Sequence, residues 1–228
     1  MIIFSEPIQK NLNQQPTRPG NFWILLPVFG CVLFVILYVV AALLYPGGSG
    51  IDKTSVGYNW MENYWCNLLN NKAINGQNNT AKPVAMTAMV VLCVSLSLFW
   101  ILFPVIVQLK KYHRLIIQIG GAASMIAAFL LLTNADHDIA VNFSSSLGFV
   151  AMLGVLIALY QLRWSKLFIF GLFNIVLIAL NNYLYYVISD VTYLPIVQKF
   201  TFLCFLFWIC YIEMKMYSQI KIELNLPE

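Results

Sequence analysis

The chain is built from long apolar runs separated by short polar connections. Six runs stand out: Asn21 to Tyr45, about Val84 to Val107, about Leu115 to Thr133, about Ala140 to Leu162, Leu167 to Ile188, and about Tyr193 to Tyr217. Each matches the roughly 20 residues that a helix needs to cross a hydrocarbon layer of about 30 Å. Lipid offers no partners to backbone N–H and C=O groups, so a spanning segment is a helix or a strand of a closed barrel. Barrel strands alternate apolar and polar positions. These runs are continuous, which predicts helices. The first run, NFWILLPVFGCVLFVILYVVAALLY, is longer than the apolar region of a cleaved leader and no A-x-A site follows it. It is read as a helix that stays in the bilayer.

Composition points the same way. Apolar residues make up 61% of the 228 residues and charged residues 10%, against roughly 45–50% and about 25% in soluble domains. A soluble fold of this size could not cover so much apolar surface. Disordered, collagenous and disulfide-scaffold classes are excluded by the same figures. The net charge of +4 is small, and no basic run is long enough to track a nucleic-acid backbone. Four of the five cysteines (Cys31, Cys93, Cys204, Cys210, but not Cys66) fall inside apolar runs and read as small core residues.

Orientation follows from where Lys and Arg fall. Lys10, Arg18, Lys110, Lys111, Arg114, Arg163, Lys166, Lys215 and Lys221 lie in the tails and in alternate short connections, nine in all. The other side carries four: Lys53, Lys72, Lys82 and Lys199. Both termini are therefore expected in the cytoplasm, with 46–83, 134–139 and 189–192 facing outward. Trp23, Trp100, Trp164, Tyr112, Tyr193 and Tyr217 fall near run ends, where amphipathic rings prefer to sit. Gly120, Gly121, Ala122, Ala123, Ser124, Ala127 and Ala128 make the third helix rich in small residues, which predicts close packing and a central place. No internal repeat of the transporter kind is visible.

The outer loop 46–83 opens on Pro46-Gly47-Gly48-Ser49-Gly50, a turn-rich exit. Between Asn59 and Asn70, polar positions (Asn59, Glu62, Asn63, Cys66, Asn67, Asn70) and apolar positions (Trp60, Met61, Tyr64, Trp65, Leu68, Leu69) recur at helical spacing. That pattern predicts a short interfacial helix with its aromatic face on lipid or on the bundle. It would form a polar wall over an outward cavity, or a lid that only caps the bundle.

A second polar feature, Asn134-Ala135-Asp136-His137-Asp138, joins the third and fourth helices. A carboxylate beside a histidine raises its pKa and orients its ring. His137 could then serve as acid or base, with Asp136 and Asp138 as its partners, or Asp138 could simply cap the fourth helix. Polar residues inside the spans are Asn174, Asn181, Asn182, Ser144, Ser145, Ser146 and Lys199. Such groups are costly in a bilayer and face the bundle interior or a water-filled cavity. By the expected topology Glu62, Asn63, Asn67, Asp136, His137, Asp138, Asn181, Asn182 and Lys199 converge on one level near the outer rim. The alternative reading of this set is hydrogen bonding between helices, with Lys199 snorkelling.

Some chemistry is excluded. The two histidines, His113 and His137, fall on opposite sides and cannot share a haem or a zinc ion. No P-loop, G-x-G-x-x-G or G-x-S-x-G occurs. No cofactor is called for; a divalent ion held mainly by Glu62, Asp136, Asp138 and His137 stays open as the weaker reading of that set.

The stretches YPGGSGIDKTSVGYNWMENYWCNLLNNKAINGQNN, AKPVAMTAMVVLC and NADHDIAVN resemble an uncharacterised bacterial membrane family, designated domain of unknown function 998 and typical of Bacteroidota. The resemblance runs from about Tyr45 to the sixth helix. The family pattern falls here on Gly47 and Gly48, on Asn63 to Leu68, and on Asp136 with His137. It implies a multi-helix fold in the bacterial inner membrane and no particular activity.

The expectation is thus an all-α bundle of six transmembrane helices, a single integral-membrane domain over 1–228, with a short outer interfacial helix. Its leading functional reading is an outward-facing polar pocket for a lipid headgroup or small polar ligand. Glu62, Asn63, Asn67, Asn181, Asn182 and Lys199 would line it. In a lipid-processing variant His137 would act with Asp136 and Asp138, and Lys199 would hold an anionic group. The competing reading is a non-catalytic subunit that docks a membrane-protein partner or a second copy of the chain. Transport would need polar groups continuing to the cytoplasmic side, where Gln118 and Glu213 are the candidates.

Overall fold

A computed structural model describes residues 21–132, 137–188 and 192–225. Among these the chain is helical, and no strand is formed beyond two isolated bridges, Gly47 with Val56 and Lys72 with Asn78. Six helices follow in order: α1 (Leu26–Leu43, preceded by a 3-10 turn at Asn21–Leu25), α2 (Lys82–Ile106), α3 (Lys111–Phe129, followed by a 3-10 turn at Leu130–Leu132), α4 (His137–Gln161), α5 (Ser165–Tyr183) and α6 (Leu194–Asn225). All six expected helices are present. α6 runs on past Tyr217, and α5 continues as a π-helical turn, Leu184–Ile188.

Five of the six, all but α3, are long and apolar enough to cross a membrane. The residues of α3 explain the difference. It starts Lys111-Tyr112-His113-Arg114, and its middle is Gly, Ala and Ser. Its small residues act through packing. A Cβ on Gly121 would stand 2.1 Å from the Trp100 ring, and one on Gly120 3.3 Å from the Leu147 carbonyl. α3 therefore lies tightly between α2 and α4. Two serines lock its second seam: Ser124 Oγ donates to the Ser144 carbonyl at 2.8 Å, and Ser144 Oγ to the Ser124 carbonyl at 3.0 Å. α3 packs on two helices, whereas α2 packs on α1, α3 and α6, and α6 on α1, α2 and α5. α5 is peripheral, with 22% of its apolar window buried against 39–44% for the other four.

The interior is aromatic and aliphatic: Trp100, Trp208, Phe34, Phe99 and Phe103 are fully buried. Large apolar side chains also cover the outer faces, such as Phe29, Ile36, Ile119, Ile157, Ile169 and Phe207. Helices apolar all round have no aqueous face, which fits lipid as the surrounding solvent.

Segment 44–81 forms a folded cap over one end of α1, α2 and α6. The interfacial α-helix expected at 59–70 does not form. A turn at 59–63 leads into a 3-10 turn, Trp65–Leu69. The cause lies in the asparagines, whose side chains bond backbone groups and so compete with helix formation. Asn67 Oδ1 accepts from the Tyr64 amide at 2.7 Å, and Asn59 Oδ1 from the Met61 amide at 2.9 Å. Asn79 Nδ2 reaches the carbonyls of Leu68 and Asn70 at 3.1 and 2.9 Å, closing the 3-10 turn from below. The expected apolar face turns inward only in part: Trp65 meets Phe34, Tyr38 and Phe202 with ring centroids 5.1–5.8 Å apart and Leu68 is buried, whereas Trp60 and Met61 are exposed. The exit glycines are required by the backbone. Gly47 and Gly48 sit at φ 142° and 85°, and a Cβ at either would come within 2.4 Å of cap backbone.

Candidate functional site

Four of the expected pocket residues lie in or against the cap: Asn63 and Lys199 buried and in contact, Glu62 and Asn67 half-buried. Asn63 is fully buried. Its Oδ1 accepts from the Asn59 amide and its Nδ2 donates to the Gly48 carbonyl, both at 2.8 Å. Its own carbonyl accepts from Tyr58 Oη at 3.0 Å and from Lys199 Nζ. Lys199 is buried, not snorkelling to a headgroup layer, and its ammonium lies 5.8 Å from the Tyr58 ring centroid. Glu62 accepts a hydrogen bond from Ser49 Oγ, itself buried. Asn67 caps the 3-10 turn. These residues do meet at one level. Of their polar atoms, the Asn63 carbonyl and the Lys199 ammonium join the cap to α6, while the bonds of Glu62 and Asn67 lie within the cap.

Two electrostatic consequences follow in the cap. Burial pushes the Tyr58 phenol well above its ordinary value. The Thr54 hydroxyl and amide, both donating to Asp52, hold that exposed carboxyl below the usual carboxylate range.

Asp136 lies outside the described residues, as do the side chains of His137 and Asp138. The described backbone places His137 and Asp138 as the first two residues of α4. Asn182 is exposed near the end of α5. Close by, Tyr186 of the π-helical turn donates to Asn142 Oδ1 of α4 at 2.7 Å.

A different group of polar atoms lies between α5 and α6. The register of these antiparallel helices is set by Trp208, whose Nε1 donates to the Leu167 carbonyl at 2.8 Å, and by Phe170 against Phe207 at 5.9 Å. Two turns further toward the cap end, on the same face of each helix, come Asn174 and Thr201. Gln198 lies three residues before Thr201, rotated about 60° round the helix from it, and Asn181 lies two turns beyond Asn174. Asn174 is fully buried and its Nδ2 donates back to the Phe170 carbonyl at 3.0 Å. Its Oδ1, together with Asn181 Oδ1, Gln198 Oε1 and Thr201 Oγ1, is buried with no hydrogen-bond partner among the described residues. An unpaired buried acceptor costs about 1–3 kcal/mol. These four oxygens lie on α5 and α6, with Asn174 and Thr201 level with each other in the register that Trp208 sets. The sequence singled out Asn174 and Asn181 among the span residues. It gave no reason to join them to Gln198 and Thr201, because that pairing depends on the α5–α6 register.

Toward the other end, Gln118 Nε2 donates to the Ile101 carbonyl at 3.0 Å. Glu213 is fully buried and neither carboxyl oxygen has a partner among the described residues. It sits near Cys210 of α6 and Cys31 of α1, two free cysteines. Among the described residues no cluster of His, Cys, Asp and Glu is able to hold a metal ion.

Comparison with protein-family models, with curated proteins and with solved structures finds no match to this chain.

Proposed function

We propose that this chain is a six-span protein of the bacterial inner membrane, with both termini cytoplasmic, which holds a lipid headgroup or small polar ligand between α5 and α6 at the level of the outer leaflet. The observation that carries this reading is the set of four buried polar atoms without partners on those two helices. Polar groups in a bilayer are retained where they pair or line a path or site. α5 is the least buried of the five apolar helices, so the seam lies at the edge of the bundle, within reach of lipid. The cap, with Lys199 and Asn63, serves as the rigid lid of that end. Native mass spectrometry of the purified protein tests the reading. A co-purifying ligand is expected on the wild type, with at least tenfold lower occupancy in Asn174→Leu; equal occupancy in both would remove the site.

One feature favours the second reading, a docking subunit. The cap exposes Val56, Met61, Ile51 and Trp60, side chains that suit a partner protein or a second copy. Co-purification of a stoichiometric partner lost in Val56→Asp with Met61→Asp would support it.

A further inference from the structure

The kind of ligand can be read from the kind of atom left unpaired. Of the four orphan atoms on α5 and α6, three are amide oxygens and the fourth is a hydroxyl oxygen. Amide oxygens accept only, so the ligand must bring donors. The Asn174 amide nitrogen already donates to Phe170, which leaves its oxygen as the group on offer.

A phosphate brings acceptors and is the wrong complement. The cation nearest in sequence, Lys199, is directed at the Asn63 carbonyl under the cap. A metal ion or ammonium brings charge, and the four seam groups contain no carboxylate to neutralise it. The Lys199 ammonium, one residue from Gln198, faces a neutral carbonyl and a neutral ring, so its charge adds to the repulsion. Shape excludes a point ligand as well. Oxygens around a small cation converge at about 2.3–2.6 Å from it. Here Asn174 and Asn181 lie seven residues apart along α5, about 10 Å at the helical rise. A column of acceptors of that length suits a chain of neutral hydroxyls.

We propose that the seam binds a polyol, a glycerol or sugar headgroup held through its hydroxyls. This rests on the reading of the seam as a ligand site and names its ligand class.

The test uses the full chain purified in an amine-oxide detergent, which carries no sugar. Phosphatidylglycerol, a glucosyl diacylglycerol and phosphatidylethanolamine are offered in equal amounts and retention is read by native mass spectrometry, with free glycerol and maltose in parallel. At least tenfold retention of the hydroxyl-headed lipids over phosphatidylethanolamine is expected, with the preference lost in Asn174→Leu and in the near-isosteric Thr201→Val. Retention of free glycerol or maltose in place of lipid also supports the polyol and identifies a soluble source. Equal or better retention of phosphatidylethanolamine overturns the polyol and leaves the ligand site standing. Retention of no probe by the folded wild type overturns both. A preference that survives in both variants overturns the assignment to this seam. Thr201→Val keeps the test decisive if Asn174→Leu fails to fold.

Discussion

Asn63 braces the cap internally through its side-chain amide and meets α6 through its carbonyl. Its side chain satisfies one buried donor and one buried acceptor, the Asn59 amide and the Gly48 carbonyl. Truncation would orphan both, at about 1–3 kcal/mol each. Asn63→Ala is therefore expected to cost about 2–4 kcal/mol, read as a lower melting temperature in detergent, with the cap becoming the first site of proteolysis. A melting temperature unchanged within error would remove Asn63 as the tie. Tyr58, which donates to the Asn63 carbonyl, gives the cap a pH limit. Burial raises its pKa above the unfolded value of about 10. The neutral phenol's contribution is thus fully present below that value and is lost as pH rises beyond it. Stability is expected to fall above about pH 10, with a smaller fall in Tyr58→Phe. Identical alkaline profiles for the two proteins would refute the assignment.

At the scale of helices, two kinds of seam hold the bundle. The α2–α3 seam depends on the absence of a side chain. The space a Cβ would need at Gly121 is taken by Trp100. Gly121→Ala should cost at least about 1–3 kcal/mol through overpacking, and Trp100→Leu in the same chain should recover part of it. If Gly121→Ala melts with the wild type, the helices are not packed that closely. The α5–α6 seam is the opposite case, because it contains polar atoms that contribute nothing to packing. In the ligand-free protein Thr201→Val removes one orphan hydroxyl at nearly constant shape, so its stability should equal or exceed that of the wild type. A loss above about 1 kcal/mol would mean that the hydroxyl makes an intramolecular bond of ordinary strength. The failed expectation at 59–70 belongs to this scale too. Helical spacing was present there, but the asparagines offered local bonds that a 3-10 turn satisfies and an α-helix does not.

For the molecule as a whole, the distribution of Lys and Arg decides which connections a protease outside the membrane reaches first. Trypsin added to intact spheroplasts should cut after Lys53 or Lys72, both exposed on the cap, and should spare Lys110 and Lys111 until the membrane is opened. Cleavage in the reverse order would invert the proposed topology. The six helices and their approximate ends were legible along the chain, because the cost of unsatisfied backbone and the length of an apolar run are local quantities. The inward turn of Trp65 and Leu68 was legible in their spacing, but Trp60 and Met61 of the same expected face lie exposed, because no α-helix forms to carry them round. Which polar residues meet was decided elsewhere. Lys199 reaches Asn63 over a separation of 136 residues, and Thr201 comes level with Asn174 through the packing of Trp208 on α5. Composition and periodicity thus determined that this chain is a set of apolar helices. Only the three-dimensional packing decided that the cap consumes the polar groups of Asn63 and Lys199 while the α5–α6 seam leaves its oxygens unpaired. Hydrogen bonding depends on distance and register between segments, and neither is written in the order of residues along one of them.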